Sequence, residues 1–525
     1  MLSHPLLSIR STIRAFWWSL WIGVALGRAA PNDPPAVHPA GDPAAVLDSK
    51  VLPIDLSTAL RLARARNPEI LLARQRVVEA AALRQLAAAR LLPTLNAGSN
   101  YDIHNGPVQQ ANGNILSVNR SALYVGSGVG ATAAGTVPIP GVLLAGNVAE
   151  GLYGLAVTRQ VVRQREFADE ALRGDVLLRV CWAYCELLRA EGHRSLADRD
   201  REEAGKIVRL TAAREPADVD RARTERSRRE ADLVRAEESS AIASARLCGL
   251  LSLDPSVRLR PTDAWVVPAP VVPEPIPLPE LIAMALLRRP EVGQFRSAIR
   301  EAMLTLDRAK ALPFSPTILL GFSSGSYGGG SNLVQPSFGK FNTRVDFDAV
   351  AYWTLRNLGV GNVALVRLAA SHSRAVEFQQ QAMFDLIRSE VAETHAQTHY
   401  GFALIESTER AVESSAEGLR KDLDRLGRGT ALPIEALDSL HRLARARAEY
   451  LDAIVDYNRA HFRLFIVLGQ PPADYLAFPV PTSGVDPRAS RVASRPGPGP
   501  SARPAVLSDA GANPVGRRPG TRGGP

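Results

Sequence analysis

Apolar and polar residues alternate along two stretches in the second half of the chain, 317–327 (TILLGFSSGSY) and 341–355 (FNTRVDFDAVAYWTL). In the latter, Arg344, Asp346 and Asp348 fall on one face, and Val345, Phe347 and Ala349 on the other. Period-two patterning of this kind predicts strands with one wet and one apolar side. In the first half, 94–105 (TLNAGSNYDIHN) and 141–158 (GVLLAGNVAEGLYGLAVT) are glycine-rich and alternate only in part. Each half therefore offers a strand hairpin, the first joined by a long loop over 106–140. A different spacing begins at Ile434. Apolar residues recur three and four apart through Leu437, Leu440, Leu451, Ile454, Phe462 and Phe465 to Leu468, the seam of a coiled-coil-like helix. Proline is absent from 159–215, 217–254, 337–432 and 434–470, in a chain with 38 prolines. Long helices follow, and about 55 residues in one helix would extend roughly 80 Å. Breaks at Glu215-Pro216 and Gly427-Arg428-Gly429 mark the tips of two antiparallel helical hairpins.

The two halves repeat one another. Asn67-Pro68-Glu69 and Leu92-Pro93 in the first correspond to Arg289-Pro290-Glu291 and Leu312-Pro313 in the second, at offsets of 222 and 220 positions. An internal duplication accounts for this spacing. Pro68 and Pro290 suit a first helical turn, where a missing N–H costs nothing, and Asn67 suits an N-cap. The prolines of the Leu-Pro steps then stop each helix. Each half reads as short helix, strand hairpin, long helix, tip and returning helix. The expected boundaries are 51–254 and 278–475, joined by a Pro-rich linker over 255–277.

Composition adds the ends of the chain. Arg10 and Arg14 precede an apolar stretch over 15–26, and small residues follow at Gly27, Ala29 and Ala30. That order is expected of an export signal over 1–30, with an uncleaved N-terminal anchor as the other reading. Residues 31–50 form a Pro-rich leader, and 476–525 a basic Pro/Gly-rich tail of disordered composition. The tail carries much of the net charge of +9, without the aromatic-interleaved patch of a nucleic-acid binder. Three cysteines, Cys181, Cys185 and Cys248, form no paired framework. Outside the first thirty residues no run approaches the roughly 18 apolar residues of a membrane helix. A membrane crossing would have to use strands in a closed barrel. Four strands cannot close one, since known barrels need at least about eight, so several copies would be required.

At this point the sequence resembles the TolC family of outer-membrane efflux proteins over roughly 52–475. The resemblance rests on the duplicated Pro-Glu and Leu-Pro signatures, on Arg428-Gly429-Thr430 at the second tip, and on Asp456-Tyr457-Asn458-Arg459-Ala460 before Leu468-Gly469. It implies a mainly α protein with β structure. A homotrimer would share a 12-stranded barrel in the outer-membrane lipid and an α-barrel tunnel in the periplasm. A periplasmic adaptor and an inner-membrane pump would dock at the tips, at Asp218, Gly427, Gly429 and Thr430. Glu435 and Asp438 hold the places of two acids that ring the periplasmic aperture in the family. Residues three apart share a helix face, and three copies would gather six carboxylates that attract cations and raise one another's pKa. The first tip departs from the pattern, with Arg214-Glu215-Pro216 where the family has glycine. Leu426 and Ala431 stand where its tyrosine and arginine lock the closed tunnel.

Other motifs are weaker. His395 and His399 have the spacing of two metal ligands but lack a third; histidines flanking the apolar seam are the plainer reading. Gly321-Phe322-Ser323-Ser324-Gly325 matches a nucleophile-elbow string in a strand, without the helix that chemistry requires. Gly126-Ser127-Gly128-Val129-Gly130 reads as loop. No cofactor and no enzymatic activity is expected. The alternative to a channel is an exported coiled-coil scaffold or surface protein without a pore.

Overall fold

The computed structural model describes residues 51–129, 139–263, 266–272, 276–334, 339 and 341–470. The expected export signal, the leader, the tail over 476–525 and the final residues of the second half, 471–475, lie outside the described residues.

The chain begins with β1 (Val51–Ile54), α1 (Leu56–Arg66) and α2 (Pro68–Ala89). Asn67 caps α2, its side chain accepting from the Glu69 N–H at 2.9 Å, with Pro68 at the first helical position. Strands β2 (Thr94–Leu95), β3 (Ala97–Gln109), β4 (Ile115–Val129), β5 (Ile139–Pro140) and β6 (Val142–Asn147) follow. The long first loop is corrected here. Residues 106–109 and 115–129 are strand, closed by a short turn in which Gly113 has φ +90°. Gly126, Ser127, Gly128 and Val129 belong to β4 rather than to a loop. The expected strand over 141–158 is shorter too. Asn147 accepts from the Ala149 and Glu150 N–H groups and starts α3 (Val148–Thr211), so residues 148–158 are helical.

Helix α4 (Pro216–Leu251) returns from the first tip. The linker is partly structured: β7 (Arg258–Pro261) pairs in parallel with β1. The second half repeats the plan with α5 (Leu278–Arg288), α6 (Pro290–Ala311), β8 (Thr317–Ser331), β9 (Asn342–Tyr352), α7 (Val360–Gly427) and α8 (Pro433–Val467). Helices α3 and α7 have 64 and 68 residues, lengths of about 95 and 100 Å at 1.5 Å per residue.

The helices form four columns. Near the sheet, α3 packs between α2 and α6, and α6 packs on α7. Toward the tips, α3 packs between α4 and α8, and α8 packs on α7. The two long helices thus run the full length, while α2 with α4 and α6 with α8 each share a column. The core is discontinuous. Midway, Leu60 of α1 packs with Leu177, Leu187, Leu247 and Leu251. Leu281 of α5 packs with Ile387, Val391 and Leu464. At the tips, Ile207 and Ala222 of the first hairpin meet Leu419, Leu437 and Leu440 of the second. The seam read from α8 is the buried face of that helix apart from Ile434, which is exposed. No helix among the described residues is long and apolar enough to cross a membrane.

Ion pairs stitch the columns. Arg189 pairs with Asp456, Arg459 with Glu186, Arg289 with Glu390 at 2.6 Å, and Arg447 with Asp200 at 2.9 Å. Burial raises the Asp200 carboxyl despite Arg447 beside it. His461 is fully buried against the Tyr457 ring at 4.4 Å. Desolvation lowers its pKa to about 4.

Candidate functional site

Two regions carry the functional reading: the sheet and the second tip. In the sheet, β8 pairs with β4 and with β6 on one side, and with β9 on the other. Ser127 lies opposite Ser324, and the next partners are Val142 and Phe322. The chain therefore leaves the ladder after Ser127 and resumes it at Val142, so β4 and β6 are two pieces of one interrupted strand. Likewise β2 and β3 run on in one line, opposite β6 and β4 respectively. The result is four antiparallel strands, the number expected, with β3 and β9 at the edges and no outer partner among the described residues.

Cross-strand partners share a face, which extends the alternation across all four strands. One face carries Tyr101, Ile103, Leu123, Val125, Phe322 and Phe347, aligned by the pairs Tyr101–Leu123 and Phe322–Phe347. All of these but Leu123, which is half-buried, are exposed in the single chain: Tyr101 is 61% exposed and Phe347 69%. The other face carries Asp102, His104, Arg120, Arg344 and Asp346. There Arg344 pairs with Asp346 at 2.8 Å and lies 5.4 Å from the Tyr327 ring. Close packing of the backbone explains the glycines. A Cβ on Gly126 would meet the Gly325 Cα at 2.4 Å, and one on Gly325 the Tyr124 ring at 2.7 Å. Ser323, in the nucleophile-like string, is a buried strand residue whose hydroxyl oxygen accepts from the Gly141 N–H at 3.2 Å.

The second tip is built by the end of α7. The Thr430 N–H donates to the Arg425 carbonyl at 2.9 Å and the Gly429 N–H to the Leu426 carbonyl at 3.1 Å. With Gly429 at φ +80°, this is a Schellman ending, and Pro433 then opens α8. Leu426 and Ala431 are buried in the apolar cluster of the tips. Arg214 of the first tip donates to the Leu426 carbonyl at 3.1 Å, tying the two tips together. Glu435 is partly exposed and pairs with Arg425 at 2.9 Å; Asp438 pairs with Arg442 at 2.7 Å. Each acid thus has an arginine partner that the spacing of the acids did not reveal. Asp218, in the first turn of α4, pairs with Arg221 at 3.2 Å. Gly427 ends α7, and Thr430 also bonds the Arg425 carbonyl through its hydroxyl.

His395 and His399 lie with parallel rings, centroids 6.3 Å apart. No cluster of three or more potential metal ligands occurs among the described residues. Cys181, Cys185 and Cys248 are buried and free. Burial pushes the Cys185 thiol up to about 12, which removes thiolate reactivity. The turn Arg356–Gly359 between β9 and α7 was not foreseen. Asn357, Leu358 and Gly359 are consecutively left-handed, with φ of 49°, 56° and 91°. For a residue with a Cβ this conformation costs about 1–2 kcal/mol. The turn is held by the Arg356 N–H, which donates to the Asn362 side chain at 2.8 Å.

This arrangement is the fold of the TolC-like outer-membrane channels. No family model and no curated protein matches the chain, but solved structures do. It superposes on the outer-membrane channel OprN with a TM-score of 0.66 at 19% identity, covering 79% of this chain and 89% of that one. The Campylobacter jejuni CmeC outer-membrane channel gives 0.64 at 14% identity, over 83% and 88%. The open state of the Neisseria gonorrhoeae MtrE channel gives 0.60 at 19%, over 79% and 89%. At these identities the likeness is one of fold.

Proposed function

We propose that the chain is one subunit of an outer-membrane exit duct, serving a tripartite efflux or type I secretion system. Three copies each contribute four strands to a twelve-stranded barrel and four helical columns to a tunnel through the periplasm. The observation that carries this reading is the sheet. Its apolar face is bare, its other face is charged, and neither edge strand has an outer partner among the described residues. In lipid an open edge leaves backbone groups unsatisfied, and in water it invites aggregation. Closure with further copies resolves both. A pore-free scaffold has no use for such a sheet. The neighbouring structures support the reading, being described as outer-membrane channels.

In this duct Glu435 and Asp438 ring the periplasmic aperture, and Asp218, Gly427, Gly429 and Thr430 lie where an adaptor and an inner-membrane pump dock. The arginine partners of the two acids are exposed, and such pairs contribute at most about 1 kcal/mol, so they exchange readily for passing cations. The test is planar-bilayer recording of the purified protein. Stable ion conductance is expected, with cation preference reduced in the Glu435→Gln, Asp438→Asn double variant. Absence of conductance counts against the duct; unchanged selectivity counts against the acidic ring.

A further inference from the structure

The turns between helix and strand at the helix-proximal end of the sheet carry bare apolar side chains. Leu92 lies between α2 and β2, and Phe314 between α6 and β8. Trp353, Leu355 and Leu358 lie between β9 and α7, and Val360 opens α7. Phe314 is 83% exposed and Leu358 94%. Trp353 stands two residues beyond Ala351, on the parity that carries Phe347 and Val345, and so prolongs the apolar face of β9. Its indole N–H donates to the Phe314 carbonyl at 3.2 Å, which ties two of the turns together. Leu358 is held in left-handed backbone by a turn that two hydrogen bonds close: the Arg356 N–H to Asn362, and the Val360 N–H to the Arg356 carbonyl. Strain of this kind persists where the surrounding structure fixes it for a purpose.

We propose that the Arg356–Gly359 turn is a leaflet anchor. Leu358, with Phe314 and Trp353, inserts into the periplasmic leaflet of the outer membrane at the level where acyl chains meet headgroups. The occupant is lipid because this patch continues the lipid-facing side of the sheet without a polar break between Phe347 and Trp353 on that parity. Tryptophan with a satisfied N–H and an apolar body is the residue favoured at that depth. A leucine on a rigid turn loses no backbone freedom on insertion. The anchor rests on the membrane reading of the sheet. It adds a fixed depth: the barrel sits in lipid down to the first turn of α7.

The experiment uses the full chain reconstituted into phosphatidylcholine liposomes with and without brominated acyl chains. An environment-sensitive fluorophore is attached at L358C, F314C, F347C or R445C. The native cysteines are buried, and all four positions are exposed, so labelling leaves the fold intact. Brominated lipid is expected to quench the probe at 347, 358 and 314 and to spare the one at 445 on α8. Quenching at 347 without quenching at 358 and 314 overturns the anchor and leaves the barrel standing; those residues then lie in water or against a neighbouring copy. No quenching at 347 removes the membrane reading, and the anchor with it.

Discussion

The sheet and the helical body treat apolar side chains in opposite ways. In the body, Leu187, Leu247 and Ile387 are completely buried within the chain's own columns. In the sheet, Tyr101, Ile103 and Phe347 stand bare on one continuous face. Burial of a large apolar side chain is worth about 1.5–3 kcal/mol, so the body supplies its own stabilisation, whereas this face of the sheet gains none from the chain itself. One chain therefore contains a self-sufficient part and a part whose apolar face its own described residues leave uncovered. The same contrast holds for charge. The body pairs its ions between columns, as in Arg447 with Asp200, while the sheet keeps Arg344 and Asp346 on the face opposite those apolar side chains.

The contrast can be attacked from either side, and the largest change, outright loss of the assembled form, is expected from the sheet. Phe347→Arg places a charge in the apolar band, at a cost of about 2–4 kcal/mol per copy near the midplane of a bilayer. The heat-modifiable oligomer on unboiled gels should disappear from outer-membrane fractions, while Asp348→Arg, on the opposite face, should retain it. In the body the corresponding break is Leu247→Ala, which leaves a cavity and should lower stability by about 2–5 kcal/mol in detergent unfolding. Tyr101→Ala should barely move the same midpoint, because detergent already covers it.

A smaller effect concerns His461, which burial holds neutral with a pKa of about 4. The unfolded side chain, at about 6.5, binds a proton that the folded one refuses. Stability from this site is complete above pH 6.5 and is lost as pH falls toward 4, by about 2 kcal/mol at pH 5. His461→Phe should flatten that part of the pH profile; an unchanged slope would assign it to other groups. Smallest is Gly429→Ala at the tip. A Cβ there meets nothing within 4 Å, so the cost is conformational only, about 1–2 kcal/mol for a left-handed residue. It should be read as a modest fall in the unfolding midpoint.

Much of this plan is legible in the sequence, for local reasons. Asn67 acts through its side chain on the adjoining turn, and Pro68 and Pro290 through their own backbone, so the helix starts can be placed. The alternation over Arg344–Asp348 survives because every second side chain is strongly polar or strongly apolar. The first hairpin is harder to read, since Gly98, Gly106, Gly126 and Gly128 erase the pattern; of these, Gly126 and Gly128 serve close backbone contact. The interruption between Ser127 and Val142 is visible only in the register. Pairing of β1 with β7 joins the start of the first half to the linker that follows it, and nothing local to either strand announces it. At the tip, position along the chain is what singles out Glu435 and Asp438. Arg442 is the i+4 neighbour of Asp438 on α8, whereas Arg425 meets Glu435 only once the hairpin brings it back beside that helix. The left-handed Asn357 and Leu358 break local preference outright, and no residue-level rule would have chosen a leucine there.

Native mass spectrometry of the detergent-extracted protein bears most directly on the claim that the sheet is one sector of a shared cylinder. A single species of three chains is expected, which stays assembled only while detergent covers the apolar face. A homogeneous monomer that remains soluble after the detergent is removed would contradict it.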